Sequence, residues 1–255
     1  MAPPQYLQSL EVGKLKTSPE FSDVHCHLNL FADPKATVAK AREQGVNILI
    51  TAGGSEKDNY ENTRIADGAQ GVFAVVGISP DFSASDSAEG LEGLIKSSKN
   101  IVGIGEIGID AKVVDKASLD IQRNVFEGQL DIAKDLGLPV VIHSRGALDE
   151  IIGILDKKGI RNAIFHFFEG DEAQAKLLSE KGHLISIPPV ETGRRKRVIK
   201  NIGLSNLVAE TDSPVVGKTP ADVLDVCKKI AEIKGASLED VAASTTENIR
   251  RHFYI

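Results

Sequence analysis

The sequence has 255 residues, enough for one large core, and its 42% hydrophobic and 26% charged residues are ordinary values for a globular protein. This composition excludes a largely disordered chain, and there is no run of about 18 apolar residues that could cross a membrane as a helix. A formal net charge of −6 argues against a protein that coats duplex nucleic acid through its overall field. Because the N-terminus lacks a secretory pattern and two cysteines are too few for a disulfide framework, we expect a reducing, cytoplasmic setting.

Along the chain, short β-branched runs alternate with amphipathic stretches after a weakly structured leader over residues 1–20. The predicted strands cover residues 22–28, 46–52, 72–77, 101–106, 139–143, 163–166, 183–187 and 206–211. The predicted helices cover residues 35–45, 56–69, 86–98, 118–137, 147–158, 171–181, 193–202, 220–234 and 238–252. Eight strand–helix alternations predict a single (β/α)8 barrel domain over residues 21–255.

An open doubly wound sheet is the alternative, because the same alternation permits it. The segment Gly103-Ile-Gly-Glu-Ile-Gly108 even fits the glycine pattern of dinucleotide-binding folds. That pattern belongs in a first βα unit, whereas this segment lies in the middle of the chain, and Glu106 would set a carboxylate beside a pyrophosphate. We therefore favour the barrel over a nucleotide-binding sheet.

The first predicted strand carries a His-x-His motif. Because side chains alternate along a strand, we expect Asp23, His25 and His27 on one face and Cys26 on the other, packed against helices. Two neighbouring imidazoles suit a metal ion, with Asp23 placed to orient one of them.

Polar residues also end four other predicted strands, and in a barrel these ends converge on the rim where active sites lie. Buried imidazoles and carboxylates that lie close together are costly without a cation. The predicted metal ligands are therefore His25, His27, Glu106, His143, His166 and Asp212. The remaining histidines, His183 and His252, are interpreted as structural or surface residues.

Six ligands exceed what one tetrahedral ion needs, whereas two divalent ions bridged by a carboxylate would use them all. Glu106 is the expected bridge, since strand four lies between the two histidine pairs. Histidine-rich ligation suits zinc, manganese, cobalt or iron better than magnesium, and we expect zinc, manganese or magnesium, with the identity left open.

Six motifs, taken in order, resemble those of the TatD family of metal-dependent deoxyribonucleases from about residue 21 to the end. They are Asp23-Val-His-Cys-His-Leu28, Gly105-Glu-Ile-Gly-Ile-Asp110, Gln122-Arg-Asn-Val-Phe-Glu-Gly-Gln129-Leu, Pro139-Val-Val-Ile-His-Ser-Arg145, Phe165-His-Phe-Phe-Glu-Gly170 and Glu210-Thr-Asp-Ser-Pro214. The resemblance implies an amidohydrolase-type barrel with a binuclear centre and DNA as substrate, often cut from the 3′ end of a single strand. It implies that His25, His27, Glu106 and Asp212 hold one ion, and that Glu106, His143 and His166 hold the other.

The sequence departs from this family around the substrate. Ser79 stands where the family usually has a histidine near the scissile phosphate. We expect metal-assisted hydrolysis with Asp212 as the general base. Arg145 and Lys218 are candidates for phosphate contact, against an ion pair within the rim for Arg145 and a solvated charge for Lys218. Glu106, as the bridging ligand, is counted with Asp212 among the catalytic residues.

The rim also offers few surfaces for bases. The basic run Arg194–Arg197 begins a predicted helix and is interpreted as a solvated face, with tracking of a nucleic-acid backbone as the alternative. There is no Trp, and Phe82, Phe167 and Phe168 are the candidates for stacking. Val215 stands where the family often has an aromatic residue.

Two other functions therefore stay open. Because Ser79 replaces the usual histidine, the same centre could hydrolyse an amide, ester or lactone. A non-catalytic metal-binding barrel has less support, since no predicted ligand is missing. Neither a membrane nor an obligate protein partner is indicated.

Overall fold

Residues 19–255 are described by this computed structural model, and their eight strands form one parallel sheet in chain order. The strands are β1 (Phe21–Cys26), β2 (Val46–Ala52), β3 (Val72–Val76), β4 (Ile101–Gly108), β5 (Val140–His143), β6 (Ala163–Phe165), β7 (Leu184–Ile187) and β8 (Leu207–Ala209). The ends of this sheet meet, because the Asp212 N–H donates to the His25 carbonyl (2.9 Å) and the His27 N–H donates to the Ser213 carbonyl (2.8 Å). The predicted (β/α)8 barrel is confirmed, and the open doubly wound sheet is wrong.

Helices connect the strands and cover the outside of the barrel. They are α1 (Pro34–Glu43), α2 (Glu56–Asp67), α3 (Leu91–Ser97), α4 (Leu119–Leu136), α5 (Leu148–Lys158), α6 (Glu172–Glu180), α7 (Gly193–Asn201), α8 (Val223–Lys234) and α9 (Leu238–Phe253). The predicted start of α3 at residue 86 is wrong, because the Asp86 carboxylate accepts the Glu56 N–H (2.7 Å) and this segment caps α2 instead. The predicted start of α8 at residue 220 is wrong as well, since Pro220–Asp222 forms a separate 3-10 turn.

The described N-terminal residues pack against α9. The Glu20 carboxylate pairs with Arg250 (2.7 Å), and its carbonyl accepts the Thr246 hydroxyl (3.1 Å). The rest of the predicted leader, residues 1–18, lies outside the described residues. Among the helices that the structure describes, none combines the length and the apolar character needed to span a membrane.

The amino end of the barrel is closed by α9. Ile249 and Phe253 join an inner apolar cluster with residues of the strands, among them Val75 and Val141. Gly103 makes room for the Phe253 ring, since a Cβ at that position would lie 3.1 Å from Cε1 of Phe253. A second and larger apolar cluster fills the layer between the strands and the helices. With its amino end filled, the barrel offers an open rim at its carboxyl end.

A one-residue bulge in β1 changes which side chains face inward. Asp23 pairs with Leu49 and Cys26 pairs with Thr51, so three steps along β1 match two along β2. Asp23 and Cys26 therefore lie on the same side of the sheet, toward the helices. The expected burial of Cys26 away from the ligands is confirmed.

The expected role of Asp23 is wrong for the same reason. Its fully buried carboxylate faces away from the imidazoles and accepts the Thr211 N–H (2.9 Å), the Thr211 hydroxyl (2.5 Å) and the His25 N–H (3.2 Å). Asp23 thus ties β1 to the segment after β8, and it positions the backbone that carries His25 and Asp212.

His183 and His252 are both buried, which confirms the structural interpretation and excludes the surface one. One ring nitrogen of each has no hydrogen-bond partner. Burial lowers the pKa of His183 to about 4, and Arg161 and Lys181 lower it further against the opposing effect of Asp156. Burial likewise lowers the pKa of His252 to about 3, aided by His183 and Arg251. Both imidazoles are therefore neutral in the folded protein near pH 7.

Candidate metal centre

The six predicted ligands converge at the carboxyl end of the barrel. They come from β1, β4 and β5 and from the segments that follow β1, β6 and β8. Their nitrogen and oxygen atoms form three overlapping groups, each with all ligand atoms within 4.8 Å of one another. The groups are His25, His27 and Glu106; Glu106, His143 and His166; and His25, His166 and Asp212.

Glu106 lies at the centre of this arrangement, and its two carboxylate oxygens face different imidazoles. Oε2 lies 3.5 Å from Nε2 of His25, whereas Oε1 lies 2.5 Å from Nδ1 of His143 and 3.8 Å from Nε2 of His166. One carboxylate therefore serves both halves of the cluster.

Asp212 lies on the side of the first histidine pair. Its Oδ1 is 3.1 Å from Nε2 of His27 and 3.8 Å from Nε2 of His25. Asp212 has a φ of 50°, in the left-handed region that few residues other than glycine adopt. Such strain persists where surrounding contacts impose it, and it is common at functional sites.

The environment of His25 provides a test of whether a cation fits. Its side chain is fully buried, it stacks on the His166 ring with 3.6 Å between centroids, and neither of its ring nitrogens has a hydrogen-bond partner. Buried polar atoms of this kind are normally satisfied. The nitrogen and oxygen donor set matches divalent zinc or manganese, and an ion on Nε2 would satisfy one orphaned atom. The residues present therefore fit a metal centre.

Two carboxylates that the sequence analysis did not single out hold the outer nitrogens of the imidazoles. Glu210 is fully buried and accepts the Nδ1–H of His166 (3.0 Å), which turns Nε2 toward the centre. Asp110 accepts the Nε2–H of His143 (2.9 Å), which leaves Nδ1 facing Glu106. A carboxylate behind a ligating imidazole fixes its tautomer and its orientation.

Backbone oxygen does the same for His27, whose Nδ1 lies 3.1 Å from the Ala52 carbonyl. Three of the four imidazoles thus present one defined nitrogen to the centre. Asp110 and Glu210 could have been recognised in the sequence as candidate site residues, since each lies just beyond the end of a strand. The sequence pattern does not indicate which imidazole each carboxylate holds.

The charges of the cluster shift its pKa values strongly. Burial alone would raise the pKa of Glu106, but the imidazoles of His166 and His143 hold it well below its usual range. Burial would lower the pKa of His166, whereas Glu210 and Glu106 raise it to about 10. Burial also opposes the effect of Asp110 and Glu106 on His143, whose pKa rises to about 9. Near pH 7 the imidazoles of His143 and His166 therefore carry protons that a bound ion would have to displace.

The ligands open into a cavity of 510 Å³ that is also lined by two of the predicted substrate contacts, Ser79 and Arg145. The Arg145 guanidinium pairs with Asp110 (2.8 Å), and the side chain is 48% exposed. Arg145 therefore borders the cavity while its ion pair with Asp110 holds it in place. Lys218, the third predicted contact, is exposed on the loop after β8 and does not line the cavity.

The basic run Arg194–Arg197 is largely engaged within the protein. Arg195 is buried and donates to the carbonyls of Val190 and Phe168, while Arg197 pairs with Glu172. Of the phenylalanines considered for stacking, Phe82 and Phe167 line the cavity, whereas Phe168 is buried in the core.

A barrel with histidines and carboxylates gathered at the carboxyl ends of its strands defines the class of the protein as a metal-dependent hydrolase. Residues 22–254 match the model of a family described as TatD related DNase, and the chain belongs to that family.

Individual relatives agree with this assignment. The chain is 31% identical over 261 residues to a putative deoxyribonuclease tatdn3 of Danio rerio, with 91% of this chain and 97% of the relative covered. It is 29% identical over 252 residues to an uncharacterized metal-dependent hydrolase, YabD, of Bacillus subtilis, with 91% and 98% covered. The crystal structure of YjjV, a TatD homolog from Escherichia coli, superposes with a TM-score of 0.85 at 25% identity, covering 92% of this chain and 98% of that one.

Proposed function

We propose that this protein binds two divalent ions and uses them to hydrolyse DNA, as an exonuclease that shortens single strands from the 3′ end. The observation that carries the proposal is Glu106, whose two oxygens face separate groups of imidazoles. The family, and the deoxyribonuclease named among its relatives, support a nucleic-acid substrate. A cytoplasmic setting is part of the proposal, and the two free, buried cysteines support it.

In this proposal His25, His27, Glu106 and Asp212 hold one ion, and Glu106, His143 and His166 hold the other. When bound, such ions polarise a phosphoryl group and lower the pKa of the attacking water. Glu210 and Asp110 keep His166 and His143 in the tautomers that this ligation needs, through the hydrogen bonds they accept.

Asp212 is the proposed general base. Asp212 lines the cavity, and the imidazoles around it keep its pKa below the usual value against the effect of burial. It is therefore ionised at neutral pH and able to accept a proton from water. Arg145 is placed to donate to a phosphate oxygen, because its exposed guanidinium borders the same cavity. Ser79 lines the cavity too and offers a hydroxyl to the substrate.

Hydrolysis of an amide, ester or lactone is the second candidate. Arg145 is the one Lys or Arg side chain among the described residues that line the cavity, whereas Asp58, Asp81 and Glu169 also border it. This balance suits a small, weakly charged substrate better than a long polyanion. The ions would polarise a carbonyl as readily as a phosphoryl oxygen.

The test is an assay of the protein loaded in turn with Zn²⁺, Mn²⁺ or Mg²⁺ on single-stranded DNA labelled at its 5′ end. We expect a metal-dependent ladder of products that shorten from the 3′ end, abolished by Asp212→Asn and preserved by Asp81→Asn. Asp81 is a matched control because it borders the same cavity but pairs with Lys116 (2.8 Å) rather than with the imidazoles.

RNA of the same sequence, duplex DNA and a panel of small esters, lactones and amides complete the assay. Turnover of a carbonyl substrate without cleavage of DNA or RNA would refute the nuclease proposal in favour of the second candidate. Products of internal length at the earliest times would refute the exonuclease mode alone.

A further inference from the structure

The two sides of the cavity mouth differ in character. Asp110, Arg145 and Glu169 border it on the side of β4, β5 and β6. On the side of β8, β1 and β3, where Asp58 and Asp81 also border it, four apolar side chains form what we call the apolar lip: Leu30, Phe82, Val215 and Val216.

The apolar lip is exposed rather than packed. Leu30 is 56% exposed, Phe82 37%, Val215 63% and Val216 38%, and these four are among ten large hydrophobic side chains that are exposed within residues 19–255. Single exposed apolar residues are ordinary, but several that border one cavity mark a surface that binds something. The lip lines the same cavity as Glu106 and Asp212, so it lies beside the candidate metal centre.

Phe82 packs beside two small residues. A Cβ on Gly54 would lie 3.5 Å from Cε2 of Phe82 and 3.0 Å from Oγ of Ser79, so small residues flank the ring. The Phe82 ring therefore keeps an exposed portion, with Gly54 and Ser79 lining the cavity next to it.

From this arrangement we propose that the apolar lip binds the base of the terminal nucleotide, in contact with the exposed part of the Phe82 ring. This inference rests on the proposed nuclease function and specifies how its substrate is held. The four side chains of the lip have no donors or acceptors, so they contact a base without reading its edges and accept all four bases. The phosphates and sugar then lie toward the centre and Arg145.

The experiment compares two single-stranded oligonucleotides that differ in one feature. One has an ordinary 3′-terminal nucleotide, and the other has an abasic tetrahydrofuran residue at that position. The test variant is the double substitution Leu30→Ser and Val215→Ser, at two positions that are more than half exposed. The matched control is Val114→Ser, because Val114 is 50% exposed but does not line the cavity.

Two readouts are taken: KM and kcat with the metal that supports cleavage, and the Kd for fluorescein-labelled oligonucleotide in chelator by anisotropy. For the base-bearing strand we expect the double variant to raise KM and Kd at least about fivefold, because it replaces two apolar side chains that contact the base with polar ones. For the abasic strand both constants should equal those of the wild type within twofold, and Val114→Ser should change neither strand.

Equal losses on the two strands, or no loss on either, would overturn the base site while wild-type cleavage upholds the nuclease. If the wild type cleaves neither strand with any of the three metals, the proposed function itself fails, and the base site fails with it. The two failures are therefore distinguishable.

Discussion

Replacing Glu210 with glutamine tests whether buried carboxylates set the metal affinity. In the structure Oε1 of Glu210 accepts the Phe167 N–H (2.8 Å), while Oε2 accepts the Ser186 hydroxyl (2.6 Å) and the Nδ1–H of His166 (3.0 Å). A glutamine keeps the shape but has one oxygen. That oxygen must serve Phe167, whose N–H is fixed in the backbone, so the new NH2 group faces His166.

This donor would force the proton of His166 from Nδ1 to Nε2, the nitrogen that faces Glu106 at 3.8 Å. Ion binding at Nε2 would then have to return the proton to Nδ1, which would break the buried hydrogen bond between the glutamine NH2 and His166. Substitutions of carboxylates behind metal ligands typically reduce metal affinity about 10-fold to 100-fold. Glu210 also favours the proton that competes with the ion, since it helps raise the pKa of His166 to about 10. The substitution also weakens the hold of His166 on the competing proton, which offsets part of the loss. We therefore expect the metal affinity to fall about tenfold, or ~1.4 kcal/mol in binding free energy.

The assay is competition with a fluorescent chelator at pH 8, which resolves the affinities of the two proposed ions, together with ion counts by mass spectrometry. We expect one ion to bind about tenfold more weakly and the other to be unchanged. Glu169→Gln is the matched control, since Glu169 borders the cavity but is exposed. If Glu210→Gln stays folded by circular dichroism and both affinities lie within twofold of the wild type, the reasoning is refuted.

Three further predictions concern other parts of the structure. Asp110→Asn should weaken the binding of the ion proposed at His143 by about tenfold in the same competition assay, because Asp110 accepts the Nε2–H of that imidazole. Arg145→Gln, which removes the ion pair with Asp110, should weaken it much less. Equal losses would mean that the ion pair, rather than the hydrogen bond to the imidazole, sets the metal affinity. Phe126→Ala should lower the free energy of unfolding by about 3–5 kcal/mol, since this side chain is fully buried. Urea titrations measure this change, and a loss below about 1 kcal/mol would contradict close packing around the Phe126 ring. Because the pKa of His252 lies near 3 in the folded state, below its unfolded value, its neutral burial stabilises the protein at pH 7 and this stability is lost as the pH falls below about 6.5. His252→Gln should therefore reduce the slope of unfolding free energy between pH 6 and pH 4 by up to about 1.4 kcal/mol per pH unit, and an unchanged slope in urea titrations would exclude this explanation.

The fold was readable from the sequence because each strand is a short apolar run and each helix an amphipathic one, so the alternation is visible without any long-range information. The ligands were readable for a related reason. A polar side chain at the end of an apolar run, such as His143 or His166, stands out, and the geometry of a barrel brings such ends together.

What the sequence did not reveal depends on register and on partners. Asp23 was assigned to the face of His25 by strict alternation, which the bulge in β1 breaks. The sequence pattern places Glu210 inside the last strand, whereas β8 ends at Ala209 and the side chain of Glu210 turns to His166. Lys218 is a candidate for phosphate contact by its position in the sequence alone, but contacts that no local pattern encodes decide where a long side chain on a loop lies.

The bulge in β1 also limits how this centre could be transplanted. Upstream of it, Val24 faces the inner apolar cluster, and downstream of it the inward positions hold the ligands. The extra residue shifts the alternation of inward and outward side chains, so one strand contributes both to the hydrophobic interior and to the metal site. Grafting the His-x-His segment onto a regular strand of another parallel barrel, with its flanking residues kept in place, would turn both imidazoles toward the helices. A designer who borrows this centre has to borrow the inserted residue with it.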